Sequence, residues 1–163
     1  MTEIETLIAT ENIRKQLYLY CKAIDGKDWD FLRTCFGDEH VHQHGAFTGS
    51  ADEFIGFARK TLAKIKVCQH SIANVLVEFS DDGLSAKTEA NFSAVHLIEA
   101  AMAPSMHFEA GNVDTDWIVA GCYHDRWVYR DGGWLIIERK AQHLWERIEP
   151  SRLRVAKTHD KPA

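Results

Sequence analysis

A carboxylate lies at a position where a purely structural apolar helix face would carry none. Leu17, Cys21 and Asp25 are spaced four residues apart, so all three fall on one face of a predicted N-terminal helix, with Asp25 at its end. A buried carboxylate without a partner is costly, and a histidine or arginine in the same space would stabilise it. The alternative is that Asp25 caps the helix end or faces solvent beside Lys22.

Two histidines occupy predicted strand faces that are otherwise mainly apolar. His70 begins a predicted strand, and alternation along that strand puts it on the same face as Ile72, Asn74 and Leu76. His96 lies on the more apolar face of the next predicted strand. Histidine titrates near neutral pH and serves enzymes as a general base, and a neighbouring carboxylate holds its ring in one tautomer. These histidines therefore have either a proton-transfer role or a structural role with satisfied hydrogen bonds.

An arginine also interrupts an apolar alternation. Leu135, Ile137, Arg139 and Ala141 share one face of the last predicted strand, and the guanidinium group is always charged. Such a charge needs an anionic partner, which is either a functional group in a pocket or a structural carboxylate. Three carboxylates are candidates for a structural salt bridge: Asp25, Glu138 and Asp125.

Three further histidines alternate along a short predicted strand. His40, His42 and His44 would point to one side, which suggests a metal site, but successive residues on one face are about 6.6 Å apart and do not converge on one ion. We expect a solvated strand or a pocket rim there, and no metal. No glycine-rich phosphate loop, G-x-S-x-G or H-E-x-x-H motif is present, so we expect no cofactor.

Helix signals dominate the first third of the chain. A capping box at Thr2 and Glu5 predicts a helix that ends at Gly26, and Asp28 caps a short second helix that runs to about Phe36. A short strand is expected over residues 40–44. A second capping box, Ser50 with Glu53, begins a third helix.

From there the pattern becomes that of long strands. Residues 70–79, 84–99, 116–130 and 134–146 are rich in β-branched and aromatic residues and are separated by turn sequences. We predict an α+β fold in which a curved antiparallel sheet wraps around three N-terminal helices and leaves a mostly apolar cavity. The apolar insertion at residues 100–111 is either a pocket lid or an ordinary loop.

Composition limits the classes of partner. The chain has 163 residues, 45% of them hydrophobic, and a net charge of −5, which favours neither nucleic acid nor an anionic membrane. We expect one domain over residues 1–148, a polar and partly ordered tail over residues 149–163, and a cytoplasmic location. The four cysteines show no C-x-x-C spacing and are expected to be free thiols.

Several residues together resemble a known family. They are Tyr18-x-Tyr20 with Asp25, then Trp29, Phe36 and His70, then Tyr129-Arg130-Asp131-Gly132-Gly133-Trp134 followed by Arg139. Over roughly residues 8–148 the chain is similar to the SnoaL-like branch of the NTF2-like superfamily. Within that branch it resembles the group that contains scytalone dehydratase and hexachlorocyclohexane dehydrochlorinase, in which a helix aspartate and a strand histidine form a catalytic dyad.

The resemblance implies a conical α+β barrel, a homo-oligomer (dimer or trimer), and a catalytic pair at Asp25 and His70. Arg139 matches an arginine on the last strand of the dehydrochlorinase, whereas Tyr20 stands where that enzyme has a lysine. Loss of the lysine argues against dehydrochlorination. A phenol can instead donate a hydrogen bond to an oxygen leaving group or a carbonyl.

We therefore expect a cofactor-independent lyase acting on a hydrophobic, aromatic small molecule, by dehydration or by retro-aldol deformylation. The catalytic residues would be Asp25, His70, Arg139 and Tyr20. The substrate-binding residues would be Trp29, Phe54, Phe92, His96, Trp117, Tyr123 and Trp127. Two alternatives belong to other classes: a noncatalytic β subunit of a ring-hydroxylating dioxygenase, and a binding protein for hydrophobic metabolites.

Overall fold

The N-terminal helix begins and ends where its local signals predict. A computed structural model describes residues 1–102 and 113–153, and its first helix, α1, spans Glu3–Asp25. Both hydrogen bonds of the predicted capping box form between Thr2 and Glu5, and Gly26 is the C-cap. Its buried face carries the predicted apolar residues and ends at Asp25.

The elements after α1 are a short helix, two strands and a third helix. Helix α2 (Trp29–Arg33) is shorter than predicted, because Phe36 already belongs to strand β1 (Phe36–His44). Strand β2 (Phe47–Ser50), which the sequence did not predict, pairs with β1 as a hairpin. Helix α3 (Ala51–Leu62) begins at the predicted capping box of Ser50 and Glu53.

Four long strands complete the sheet. They are β3 (Ile65–Phe79), β4 (Ser85–Ile98), β5 (Thr115–Arg130) and β6 (Gly133–Pro150). The strand order is β2-β1-β6-β5-β4-β3, and all neighbours are antiparallel except β1 and β6, which are parallel. The predicted α+β arrangement is confirmed, since α1 packs against β3 and α3 against β1.

Two β-bulges change which residues share a strand face. Asn74 adopts φ +49° and is the extra residue between the Ala73 and Val75 pairings, so the faces exchange there and Leu76 is 66% exposed. Ile137 is the extra residue opposite β5, which puts Ile136 rather than Ile137 on the buried face with Arg139. The predicted groupings of His70 with Leu76 and of Arg139 with Ile137 are therefore wrong.

Two predicted segments lie wholly or partly beyond the described residues. Of the predicted lid at 100–111, only residues 100–102 are described, and they form a turn. Strand β6 continues to Pro150, past the start of the predicted tail, and residues 154–163 are not described. Within the described part of the chain, no helix has the length and apolar character needed to span a membrane.

Candidate active site

The carboxylate of Asp25 and the imidazole of His70 are in direct contact. Asp25 ends α1 and His70 lies in β3, and the Nδ1–H group of His70 donates to Oδ1 of Asp25 at 2.7 Å. The other oxygen, Oδ2, accepts from the backbone N–H of His70 at 2.8 Å. The side chain of His70 is 9% exposed and that of Asp25 is 22% exposed. The pair thus lies at a sheltered boundary between helix and sheet.

This contact determines the tautomer of His70. An ionised carboxylate only accepts hydrogen bonds, so Nδ1 carries a proton, and in the neutral ring Nε2 carries the lone pair. The His96 ring lies edge to face with His70, with ring centres 5.6 Å apart, and stacks on Trp117 at 4.7 Å. His70 therefore packs against one aromatic ring and leaves Nε2 unused by Asp25, an arrangement that suits a general base.

Cys68 is a neighbour of this pair that the sequence reasoning did not select. Its Sγ atom lies 3.6 Å from Nδ1 of His70, and burial together with the negative charge of Asp25 raises the pKa of its thiol well above the usual range. Cys68 is therefore a neutral thiol rather than a nucleophilic thiolate. The spacing Cys68-x-His70 could have identified it, because residues two apart on a strand share a face.

Arg139 is held by a carboxylate other than Asp25. Its Nε and Nη2 groups donate to the two oxygens of Asp125 at 2.7 and 2.6 Å, and both side chains are fully buried. Its guanidinium carbon lies 4.2 Å from the ring centre of Tyr20 and 4.1 Å from that of Tyr123. This is the structural salt bridge that the sequence left open, and Asp125 is its anion.

One nitrogen of Arg139 remains unpaired. Among the described residues, Nη1 has no hydrogen-bond partner although it is buried. Burial disfavours the charge of Arg139, but Asp125 outweighs burial and raises the pKa of the guanidinium. Arg139 is therefore a permanent cation with one free donor group.

His40 and His42 of β1 are buried and joined by a hydrogen bond, and they do not form a solvated strand. His40 donates from Nδ1 to the carbonyl of Ile136 at 3.0 Å, and its Nε2 lies 3.2 Å from Nδ1 of His42. His42 stacks on Phe54 with ring centres 3.5 Å apart, so α3 covers this part of the strand. His40 and His42 are 2% and 0% exposed, and the predicted solvated strand or pocket rim is wrong for both.

His44, at the end of β1, differs from its two predecessors. It is half-buried, and its Nε2 lies 3.1 Å from Nε2 of His143 on β6. Burial and the neighbouring His143 lower the pKa of His44 to about 4. The ring centres of His40 and His42 are 5.4 Å apart, and those of His42 and His44 are 6.0 Å apart, so the three do not gather around one point.

The predicted substrate-binding residues are distributed along the sheet. His96 and Trp117 are paired across β4 and β5 beside His70, and the Phe92 ring stacks on Tyr123 at 4.1 Å, against Arg139. Phe54 packs on His42 instead.

Of the two other predicted tryptophans, Trp127 lies away from this group and Trp29 contacts helix α3. Trp127 pairs with Ala86, ten residues and roughly 30 Å along β4 from His96, and donates to Thr88 in the core. Trp29 lies under the guanidinium of Arg59. The structure brings Trp117, His96, Phe92 and Tyr123 together with the candidate catalytic residues and leaves Trp127 apart.

Comparison with known proteins identifies a family. The SnoaL-like domain matches residues 5–140 of this chain, a range that includes Asp25, His70 and Arg139. Among curated protein sequences, none matches.

Solved structures extend the comparison to the fold. A protein from Novosphingobium aromaticivorans proposed to be a scytalone dehydratase is 17% identical, with 95% of each chain covered and a TM-score of 0.75. The hexachlorocyclohexane dehydrochlorinase LinA-type3 from Novosphingobium barchaimii is 11% identical over 96% of this chain and 100% of its own, with a TM-score of 0.77. A Mycobacterium tuberculosis protein of unknown function is 20% identical, over 88% of this chain and 76% of its own, with a TM-score of 0.68. At these identities the comparison establishes the shared NTF2-like fold.

Proposed function

Because the chain belongs to the SnoaL-like domain family, we propose that it is a cofactor-independent lyase acting on a hydrophobic, aromatic small molecule. The observation that carries this proposal is the 2.7 Å hydrogen bond between Asp25 and Nδ1 of His70. It leaves a lone pair on Nε2 and places a carboxylate where it stabilises the imidazolium that forms when Nε2 takes a proton. The scytalone dehydratase activity proposed for one solved structure of this fold is consistent with this class of reaction.

In the proposed dehydration, Nε2 of His70 removes a proton from a carbon next to a carbonyl group. The electron pair forms the new double bond as the carbon–oxygen bond of a β-hydroxyl group breaks. The imidazolium returns its proton to the departing oxygen, so that water leaves and His70 is neutral again. In the deformylation variant, His70 takes the proton from a hydroxyl group, and the oxygen forms a carbonyl group as the neighbouring carbon–carbon bond breaks. The electron pair of that bond passes into an enolate on the other fragment, and the imidazolium returns its proton to that enolate.

Arg139 and Tyr20 have supporting roles in this proposal. An unpaired buried donor costs about 1–3 kcal/mol, so Nη1 of Arg139 has more to gain from a substrate oxygen than the two nitrogens that already donate to Asp125. Tyr20 packs on one face of the guanidinium and holds it in place. Burial raises the pKa of Tyr20, which keeps its phenol protonated as a donor.

Aromatic rings support an aromatic substrate class. Trp117 and His96 lie on one side of His70, and Phe92 stacks on Tyr123 farther along the same two strands. Stacking and apolar burial on such rings would supply most of the binding free energy. A noncatalytic assembly subunit would have no use for a half-buried acid–base pair, which is why we prefer the lyase.

The test uses a panel of aromatic β-hydroxy carbonyl compounds with the purified full-length chain. Mass spectrometry would follow loss of water or of a formyl group, and NMR in D2O would follow exchange of the proton next to the carbonyl. We expect turnover by the parent protein and by a control with His124→Ala, a partly exposed histidine of β5. We expect no turnover by His70→Ala, with an unchanged circular dichroism spectrum. Equal turnover or exchange in His70→Ala, or neither reaction in the parent protein with any compound, would overturn the proposal.

A further inference from the structure

We infer that Cys68, His70 and His96 form a binding site for a divalent transition metal ion such as Zn²⁺, and that this ion competes with substrate turnover for His70. The metal site follows from the geometry of strands β3 and β4 alone. The competition rests on the proposed function, because it assumes that His70 is the base.

The register of β3 and β4 brings the three side chains together. Cys68 pairs directly with His96 across the two strands, and His70 lies two residues farther along β3 on the same face. One donor atom from each residue lies within 4.8 Å of the other two. Within residues 1–102 and 113–153, no other group of three cysteine, histidine or acidic side chains meets this condition.

Both imidazoles are oriented for metal binding by their hydrogen bonds. His70 donates its Nδ1–H to Asp25 at 2.7 Å, and His96 donates its Nδ1–H to the carbonyl oxygen of Trp117 at 3.2 Å. Each ring therefore carries its lone pair on Nε2. Metal-binding histidines in proteins typically have this arrangement, in which a carboxylate or carbonyl holds the opposite ring nitrogen.

The donor set selects the kind of ion. One sulfur and two imidazole nitrogens suit Zn²⁺, Co²⁺ or copper, whereas Mg²⁺ and Ca²⁺ prefer oxygen ligands. Donor atoms around tetrahedral zinc lie roughly 3.3 to 3.8 Å apart. The donor atoms of the present group lie within 4.8 Å of one another, and side-chain shifts of about 1 Å would bring them to that spacing. The thiol of Cys68 would lose its proton to solvent when the metal–sulfur bond forms.

Occupation of this site removes the proposed base. A metal ion bound to Nε2 of His70 occupies the lone pair that would accept the substrate proton. Turnover should therefore stop when Zn²⁺ is bound and return when a chelator removes it. A cellular pool of loosely bound zinc would then act as a reversible inhibitor of this protein.

The metal site is tested by Co²⁺ absorption spectroscopy on the full-length chain after treatment with a chelator. We expect one Co²⁺ per chain, the intense visible bands of a tetrahedral site, and a sulfur-to-cobalt charge-transfer band. Cys68→Ser should abolish the charge-transfer band, and His96→Gln should weaken Co²⁺ binding at least about tenfold. Cys122→Ser and His124→Ala are the matched controls and should leave the spectrum unchanged. Absence of the charge-transfer band, or its persistence in Cys68→Ser, would overturn the metal site.

A second measurement separates the competition from the proposed function. The Co²⁺ spectrum requires no turnover, so it reports on the metal site even if the lyase proposal fails. If the protein is active, Zn²⁺ at a concentration that saturates the site should abolish turnover, with recovery on chelation. Full activity of the zinc-loaded protein would overturn the competition, and activity that appears only with metal would overturn the cofactor-independent mechanism.

Discussion

The carboxylate of Asp25 accepts two hydrogen bonds from the same residue, His70, one from the ring at 2.7 Å and one from the backbone N–H at 2.8 Å. The backbone bond holds the carboxylate in place regardless of what the ring does. The ring bond then determines which nitrogen of His70 carries the proton. A single residue at the end of α1 thereby both joins the helix to β3 and sets the protonation state of the proposed base.

Asp25→Asn should abolish most of the activity while preserving the fold. The amide oxygen can still accept from the backbone N–H of His70, but the amide NH2 group would donate to Nδ1 and shift the ring proton to Nε2. The base would lose its lone pair, and the turnover number should fall by roughly 10²- to 10⁴-fold. Steady-state kinetics and the ¹⁵N chemical shifts of the His70 ring measure this. Unchanged turnover together with a shifted tautomer would exclude His70 as the base.

Two arginine–carboxylate pairs of similar geometry should differ greatly in their effect on stability. Arg139–Asp125 is fully buried, whereas Arg130 donates to both oxygens of Glu39 at the surface. Asp125→Asn leaves a buried charge without its counterion and should cost about 3–5 kcal/mol of unfolding free energy. Glu39→Gln, the matched control, should change the unfolding free energy far less, because solvent screens this half-exposed pair. Urea denaturation measures both, and similar losses would show that burial does not decide the contribution.

The buried histidine His40 should make the protein less stable as the pH falls. Burial, with a smaller contribution from the charge of Arg139, lowers the pKa of His40 from 6.5 to about 4, so the unfolded chain binds a proton more readily than the folded one. Its contribution is fully present above pH 6.5 and is lost between pH 6.5 and about 4. That difference corresponds to about 3 kcal/mol.

Urea denaturation between pH 7 and pH 4 tests this dependence, with His40→Gln as the comparison. Glutamine can keep a donor and an acceptor at this position but does not titrate. The variant should lose less stability than the parent over the interval. It should not lose all of the dependence, because the pKa values of His44 and His96 are also lowered to about 4. Identical pH profiles would contradict a role for His40.

Gly121 on β5 should not tolerate a side chain. A Cβ atom there would collide with the carbonyl oxygen of Gln142 and lie 2.8 Å from Cε1 of Phe92, the ring that stacks on Tyr123. Gly121→Ala should therefore cost at least about 2 kcal/mol. In Gly56→Ala, the control within α3, nothing lies within 4 Å of the new Cβ, and a gain of about 0.5–1 kcal/mol is expected. Thermal denaturation compares the stability of the two variants with that of the parent protein. An unchanged stability of Gly121→Ala would mean that β5 and β6 can move apart locally without loss of stability.

Elements with strong local signals were predictable. The two capping boxes, Thr2 with Glu5 and Ser50 with Glu53, mark the starts of α1 and α3 because their hydrogen bonds join residues three apart. Phe36 shows the limit of such signals. The residues that precede Phe36 in the sequence favour a short helix. Phe36 nevertheless belongs to strand β1, because it pairs with Ile136 of β6. Leu76 is exposed for a similar reason, since the bulge at Asn74 depends on pairing with β4.

The members of the site were easier to predict than their partners. Asp25, His70 and Arg139 each interrupt an apolar pattern, and that interruption is visible in the sequence alone. The sequence offered three carboxylates as partners for Arg139. The register of β5 with β6 places Asp125 directly opposite Arg139, so Asp125 is the partner. The approach of Cys68 to His96 depends likewise on the register of β3 with β4.

The sequence by itself determined the class of the fold, the family and the residue types available for chemistry, because helix caps, strand alternation and turns are properties of neighbouring residues. Only the tertiary structure decided which of those residues meet. Asp25 and His70 are 45 positions apart, and their contact exists because α1 packs on β3 with the end of the helix beside the strand. Such contacts depend on register and packing between distant segments, for which no local pattern carries the information.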